Sequence, residues 1–165
     1  MFKIGDVVVY SATGVCEIED ICVKSFGGTK CNYYILRPLM QKASTLFIPI
    51  ENQKLTCKMH PILSQQEFKQ VFLSAKSRDP IRPEGENERR EKFTEILESG
   101  NRVSLILMVY DLNNFKKTQQ ESGRRLHLAD ERLLNSAENL LYEELAYVFN
   151  IDPSNVSEFL DSQFK

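Results

Sequence analysis

The stretch HLADERLLNSAENLLYEELAYVF, residues 127–149, is the longest run of the chain that reads as one element, and its reading decides the second half of the fold. Leu133, Leu134, Ala137, Leu140, Leu141, Leu145 and Val148 recur at the spacing of one helix face, while Glu131, Arg132, Glu138, Glu143 and Glu144 largely fill the others. No glycine or proline interrupts the run, so the spacing predicts a single amphipathic helix from about His127 to Phe149. A helix of this length in water owes most of its stability to packing. Its strict heptad does not persist, which favours a stripe buried in a core over an exposed coiled-coil seam. It therefore needs partner helices.

Working outward, three helices are expected before it and one after. Ser64 and Glu67 stand at capping-box spacing ahead of Phe68, Val71, Phe72 and Ala75. Arg78-Asp79-Pro80 ends that helix, and Arg82-Pro83-Glu84-Gly85 separates it from the next, expected over about Asn87 to Ser99. That second helix presents Phe93, Ile96 and Leu97, with Gly100 as its C-terminal cap. A third, about Asn101 to Lys117, presents Val103, Ile106, Leu107, Tyr110 and Phe115. The polar link Thr118 to Gly123 has the length that joins antiparallel neighbours. After the long helix, Asp152 is placed as an N-cap and Pro153 at the first helical position, ahead of Val156, Phe159 and Leu160.

Before about Thr56 the helical phase is absent. Asp6 to Tyr10, Gly14 to Val23, Asn32 to Leu39 and Thr45 to Ile50 read as strands, separated by turn-forming stretches that include Phe26-Gly27-Gly28-Thr29 and a polar Gln41 to Ser44. Four or five short strands joined by hairpins suggest a bent sheet that closes into a small barrel, since closure hides the edges. Val7, Val9, Val15, Ile18, Ile21, Tyr34, Leu36 and Ile48 are the candidate core or half-buried positions. Pro49 belongs at a strand end or edge, because it lacks the donor a central ladder requires. The expected organisation is α+β: a barrel over residues 1–59 and an all-helical domain of about five helices over 60–165.

Composition narrows the function classes. An apolar content of 42% is enough for real cores, and there is neither a signal-peptide pattern at Met1 nor a membrane-length apolar run, so the cytoplasm is the expected location. Cys16, Cys22, Cys31 and Cys57 show no CxxC pair and no zinc-ligand rhythm, so buried reduced thiols are expected for most of them, and no metal. His60 and His127 lie in different halves, and neither has a serine or cysteine at a motif spacing that would make it a general base. His60, beside Pro61, reads as a turn residue and His127 as a helix start. Gly27-Gly28 lacks the lysine and spacing of a phosphate loop. Nothing points to an enzyme or a cofactor. The net charge of −2 does not mark the chain as a nucleic-acid binder, so any such role must rest on local patches.

Phe2-Lys3-Ile4-Gly5-Asp6-Val7-Val8-Val9-Tyr10, followed by Gly14-Val15, resembles the opening motif of the CarD-like family of bacterial transcription regulators. That module is shared with the transcription-repair coupling factor. The resemblance continues through Phe47-Ile48-Pro49-Ile50-Glu51-Asn52, Arg89-Arg90, Ser99-Gly100, Val109-Tyr110-Asp111-Leu112 and Arg132-Leu133-Leu134 to Glu144-Leu145-Ala146, and so covers practically the whole chain. It implies a Tudor-like barrel that docks on the β subunit of bacterial RNA polymerase, and a helical domain that contacts promoter DNA at the upstream edge of the melted region. Members look like accessory factors that tune the open promoter complex without reading a defined operator.

Carried onto this chain, the family's polymerase-facing positions fall on Lys24, Phe47 and Pro49. Phe47 stands where the family has a basic residue, and apolar area there replaces a charged fork. Barrel core is the competing reading of Phe47. A second departure is the tryptophan that members carry before the paired arginines. This chain has none, and the matching position falls on Glu86 or Asn87. Candidate phosphate contacts are Arg82, Arg89 and Arg90 in one basic patch, joined there by Lys76, Arg78 and Lys92, and Lys116, Lys117, Arg124 and Arg125 in another. The leading expectation is a monomeric polymerase-bound regulator with weak DNA contacts. The alternative is a protein-interaction module whose helical domain holds another protein.

Overall fold

The computed structural model describes residues 1–11, 13–26, 28–40, 45–79 and 85–164. The turn expected at 41–44 and the connector carrying Arg82 lie outside the described residues. The chain divides into two compact units, Met1–Ile62 and Leu63–Lys165. No helix among the described residues is long and apolar enough to cross a membrane.

The first unit is a five-stranded antiparallel sheet. Its strands are β1 (Val7–Tyr10), β2 (Gly14–Phe26), β3 (Thr29–Pro38), β4 (Leu46–Pro49) and β5 (Met59–Pro61), with the short helix α1 (Gln53–Thr56) between the last two. They lie in the order β4-β3-β2-β1-β5. The sheet is open, which corrects the Tudor-like barrel expected from the sequence: β4 and β5 are its edges and do not pair with each other. The expectation rested on the need to hide edges. Here the edges are four and three residues long, and each ends at a proline, Pro49 and Pro61, that has no N–H to offer an incoming strand. His60 is another correction: it belongs to β5 and pairs with Val9. Three residues ending in proline carry no readable alternation.

One face of the sheet holds the core. Val8, Tyr10, Cys16, Ile18, Tyr34, Leu36, Ile48 and Met59 are buried together, with Phe2, Ile21, Leu46, Ile50 and Leu55 packed against them. Ile18 and Ile21 are three positions apart and would face opposite ways on a regular strand. A bulge between Ile18 and Asp20 absorbs Glu19 as an extra residue, so Ile18 faces Leu36 and Ile21 faces Tyr34 on the same side. Past Cys22 and Tyr33, β2 and β3 continue as a two-stranded ribbon to their last pairing at Phe26 and Thr29. Gly28 there sits at φ +85°, a conformation strained for other residues.

The second unit consists of α2 (Gln65–Lys76), α3 (Glu86–Ser99), α4 (Arg102–Glu121), α5 (Leu128–Phe149), a 3-10 turn at Pro153–Asn155 and α6 (Val156–Phe164). The end signals act as the sequence implies. Ser64 and Glu67 form a reciprocal capping box, Gly100 ends α3 at φ +68°, and the Asp152 carboxylate accepts from the Ser154 N–H ahead of the last helix. On α5, Leu134, Ala137, Leu140, Leu141 and Leu145 are buried. The middle of α4 is enclosed all round: Leu105, Ile106, Leu107, Met108 and Val109 are consecutive and all buried, which requires neighbours on every side. Phe68 and Phe72 of α2, Phe149 of α5 and Phe159 of α6 form an aromatic cluster with ring centroids 4.8 to 6.5 Å apart.

Glu144 departs from the sequence reading. Expected on a solvated face, it is 1% exposed and accepts two hydrogen bonds from Arg102, from Nε and Nη2, each at 2.9 Å. Arg102 also donates to the Gly100 carbonyl, and the Leu63 N–H reaches Glu144 at 3.3 Å. One buried pair thus ties the chain entering α2, the end of α3, the start of α4 and the middle of α5.

Candidate functional site

Pairing registers assign the faces of the sheet without ambiguity. Cys22, Lys24 and Phe26 of β2 lie opposite Tyr33, Cys31 and Thr29, and Phe47 and Pro49 of β4 lie opposite Ile35 and Tyr33, so these β2 and β4 residues share the face turned away from the core. Phe47 therefore points outward and Ile48 inward; their exposures are 39% and 4%. The core reading of Phe47 does not hold. Phe26, half exposed, packs edge-on against both Phe47 and Tyr33 at centroid distances of 5.6 and 5.3 Å. The Lys24 ammonium stands 5.1 Å from the Phe47 ring centre. A hydrogen bond with the Cys31 thiol, more than burial, raises the Tyr33 hydroxyl above its usual pKa.

The resulting surface is aromatic, with one cation resting on it and Pro49 closing its edge strand. It can offer apolar area, a charge and a short stretch of strand edge to another protein. Lys24, Phe47 and Pro49 are brought together, and Phe26 joins them. Sequence reasoning placed Phe26 in a turn; its signal, an aromatic at a hairpin end one face-step from Lys24, becomes legible only once the register is known.

In the helical unit the two neighbouring arginines part company. Arg89 is turned in: its Nε and Nη2 donate to the two oxygens of Asp130 at 3.2 and 2.8 Å, and the side chains are only 18% and 5% exposed. The same guanidinium lies 5.9 Å from the ring centre of Phe115. Arg90 is exposed. Glu86, at the start of α3, lies 3.3 Å from Nε2 of His127, which is the residue preceding α5. Asn87 is exposed on the first turn of α3.

The other patch gathers at the end of α4. Lys116 is half buried and Lys117 exposed, five and four residues before the helix ends. The Arg124 N–H donates to the Gln119 carbonyl at 2.8 Å, which holds the start of the link against the last turn, and Arg124 and Arg125 are exposed. The described geometry includes no side-chain contact that joins this group to Arg90.

Comparison with known proteins agrees with the two-unit division. Residues 2–63 match the CarD-like/TRCF RID domain, and residues 70–161 match the CarD C-terminal domain. The chain belongs to the CarD-like family, whose members are non-enzymatic bacterial transcription regulators. A relative from Bacillus subtilis (strain 168), described as "Putative transcription factor YdeB", is 27% identical over 162 residues, spanning 96% of this chain and 99% of its own length.

Proposed function

We propose that this protein docks on the β subunit of bacterial RNA polymerase through the outer face of its sheet, and steadies open promoter complexes through phosphate contacts that do not read sequence. The observation that carries the reading is the outward pairing of Lys24 with Phe47, in the unit that matches the CarD-like/TRCF RID domain. Phe47 and Phe26 supply apolar area, Lys24 the charge, and Pro49 the end of the edge strand. The helical unit contributes Lys116, Lys117, Arg124 and Arg125, with Arg90 as a further contact. Arg89, engaged with Asp130, braces the fold in this scheme. Arg82 remains a candidate in the connector.

With a net charge of −2, the free protein should bind duplex DNA weakly. Docking changes the arithmetic, because a tethered site meets its second partner at a high effective concentration. The test pairs two measurements. Calorimetry with a β-subunit fragment should show Lys24→Glu weakening association by about 1 kcal/mol, and no association of the intact wild-type protein would remove the docking reading. Open-complex lifetimes should lengthen with wild-type protein and lengthen less with Arg124→Ala/Arg125→Ala, each lost phosphate contact lowering the salt slope by about one. Unchanged lifetimes at demonstrated polymerase occupancy would move the helical unit's role from DNA to another protein.

A further inference from the structure

Between α4, α5 and α6 the helical unit holds a cleft of about 280 Å³, close to the smallest volumes that take a small molecule. Val109 and Leu160 are buried at its base. The Tyr142 hydroxyl donates to Glu138 Oε1 at 3.4 Å, and the same oxygen accepts from Asn113 Nδ2 at 2.8 Å, so this wall is already fixed. Tyr110, stacked on Phe164 at 5.0 Å, joins α4 to α6 at one end. Lys117 lines the cleft two turns further along the same face of α4, about 10 Å from Tyr110 along the axis. Asp161 lines it from α6, one turn before Phe164. Burial above all, and in part the charge of Asp161, raises the Tyr142 hydroxyl above its usual pKa, which places that carboxylate near the fixed wall.

Although Lys117 and Asp161 line one cleft, no ion pair among the described residues joins them. The site therefore presents an aromatic end, an anion and a cation, with neither charge neutralised by the other. A carboxylic acid alone would leave Asp161 unmatched, and an amine alone would leave Lys117 unmatched. The end of a peptide shows only one of the two charges, and a nucleotide brings several negative charges toward Asp161. We infer that the cleft binds a free α-amino acid with an aromatic side chain: its ring against Tyr110 and Phe164, its ammonium on Asp161 and its carboxylate on Lys117, whose flexible stem spans the remaining distance. Binding does not depend on the DNA contact proposed above, but it draws on the same Lys117, so an occupied cleft withdraws one cation from that contact.

The experiment is calorimetry on the full-length protein with L-phenylalanine as the probe, beside 2-phenylethylamine, which lacks the carboxylate, and 3-phenylpropionate, which lacks the ammonium. Wild type should bind L-phenylalanine roughly tenfold more tightly than either. Lys117→Met should abolish the preference over 2-phenylethylamine and keep the preference over 3-phenylpropionate, and Asp161→Asn should do the reverse. Both positions are exposed, so neither change disturbs the core. L-alanine, which lacks the ring, should bind roughly tenfold more weakly than L-phenylalanine. Equal affinities for the three aromatic compounds, or preferences that survive both variants, would overturn the assignment of the charges. No binding of L-phenylalanine by the wild type would overturn the site itself and leave the DNA reading untouched.

Discussion

Every member of the sheet unit's core cluster is uncharged, whereas the helical unit buries Arg102, Asp130 and Glu144 among its leucines. In the sheet, hydrogen-bond ladders and the bulge at Glu19 fix which residue meets which, so apolar side chains need only fill the space. Packed helices have no ladder between them and can slide or rotate over apolar neighbours. A two-pronged contact such as Arg102 to Glu144 permits one alignment, although burying the two charges costs desolvation. The difference assigns specificity to backbone in one unit and to a side-chain pair in the other.

The largest expected effect breaks that pair. Arg102→Ala leaves Glu144 buried without its partner and should cost about 3 to 5 kcal/mol in chemical unfolding of the helical unit. A loss below about 1 kcal/mol would mean that the site readily admits water. Replacing both residues with apolar ones, Arg102→Met with Glu144→Leu, should recover most of the loss. If the pair sets the alignment, the recovered protein will show broadened or doubled amide resonances; sharp single resonances would assign alignment to packing instead.

Next come matched truncations in the two apolar cores. Leu36 and Leu141 are each 0% exposed, and each change to alanine should cost about 2 to 5 kcal/mol. A loss near zero at Leu141 would contradict the buried stripe of α5. The smallest effect is expected at the surface. Ser64→Ala removes the hydroxyl half of the capping box and should cost about 1 kcal/mol. The Ser64 N–H first, and its hydroxyl second, hold the Glu67 carboxyl below its usual pKa. A group depressed on folding stabilises above its unfolded pKa, and that contribution fades as pH falls through the folded value. An NMR titration should show Glu67 moving only part of the way back up in the variant, because the backbone N–H at position 64 remains, and an unmoved value would reject the hydroxyl as a contributor.

Legibility followed the range of the forces involved. Caps and stripes are local, so Ser64, Gly100, Asp152 and the leucines of α5 were readable from spacing. Closure of the sheet was not, because it depends on whether two distant short edges meet, and no local pattern encodes that. Glu144 reads as solvated in a one-dimensional pattern and is buried because an arginine 42 residues away arrives beside it. The same limit applies to the candidate site. Lys24 and Phe47 could be named separately, but their contact and the arrival of Phe26 follow from a register that includes one irregular residue. Arg89 and Arg90 look equivalent in sequence until Asp130 separates them.

Glu19 sets an angle. Deleting it would leave each later residue of β2 opposite its present partner, so no side chain need change face, but the local bend and extra twist of the bulge would go. From Asp20 to Phe26 the ribbon runs about 20 Å, long enough for a small change of direction at its base to become a displacement of several ångströms at its tip. Lys24 and Phe26 ride toward the free end of that lever, while Phe47, opposite Ile35 and so level with Asp20, sits at its base. A one-residue insertion thus determines whether the aromatic face is assembled or pulled apart, and the aim of the docking surface can vary while its composition does not.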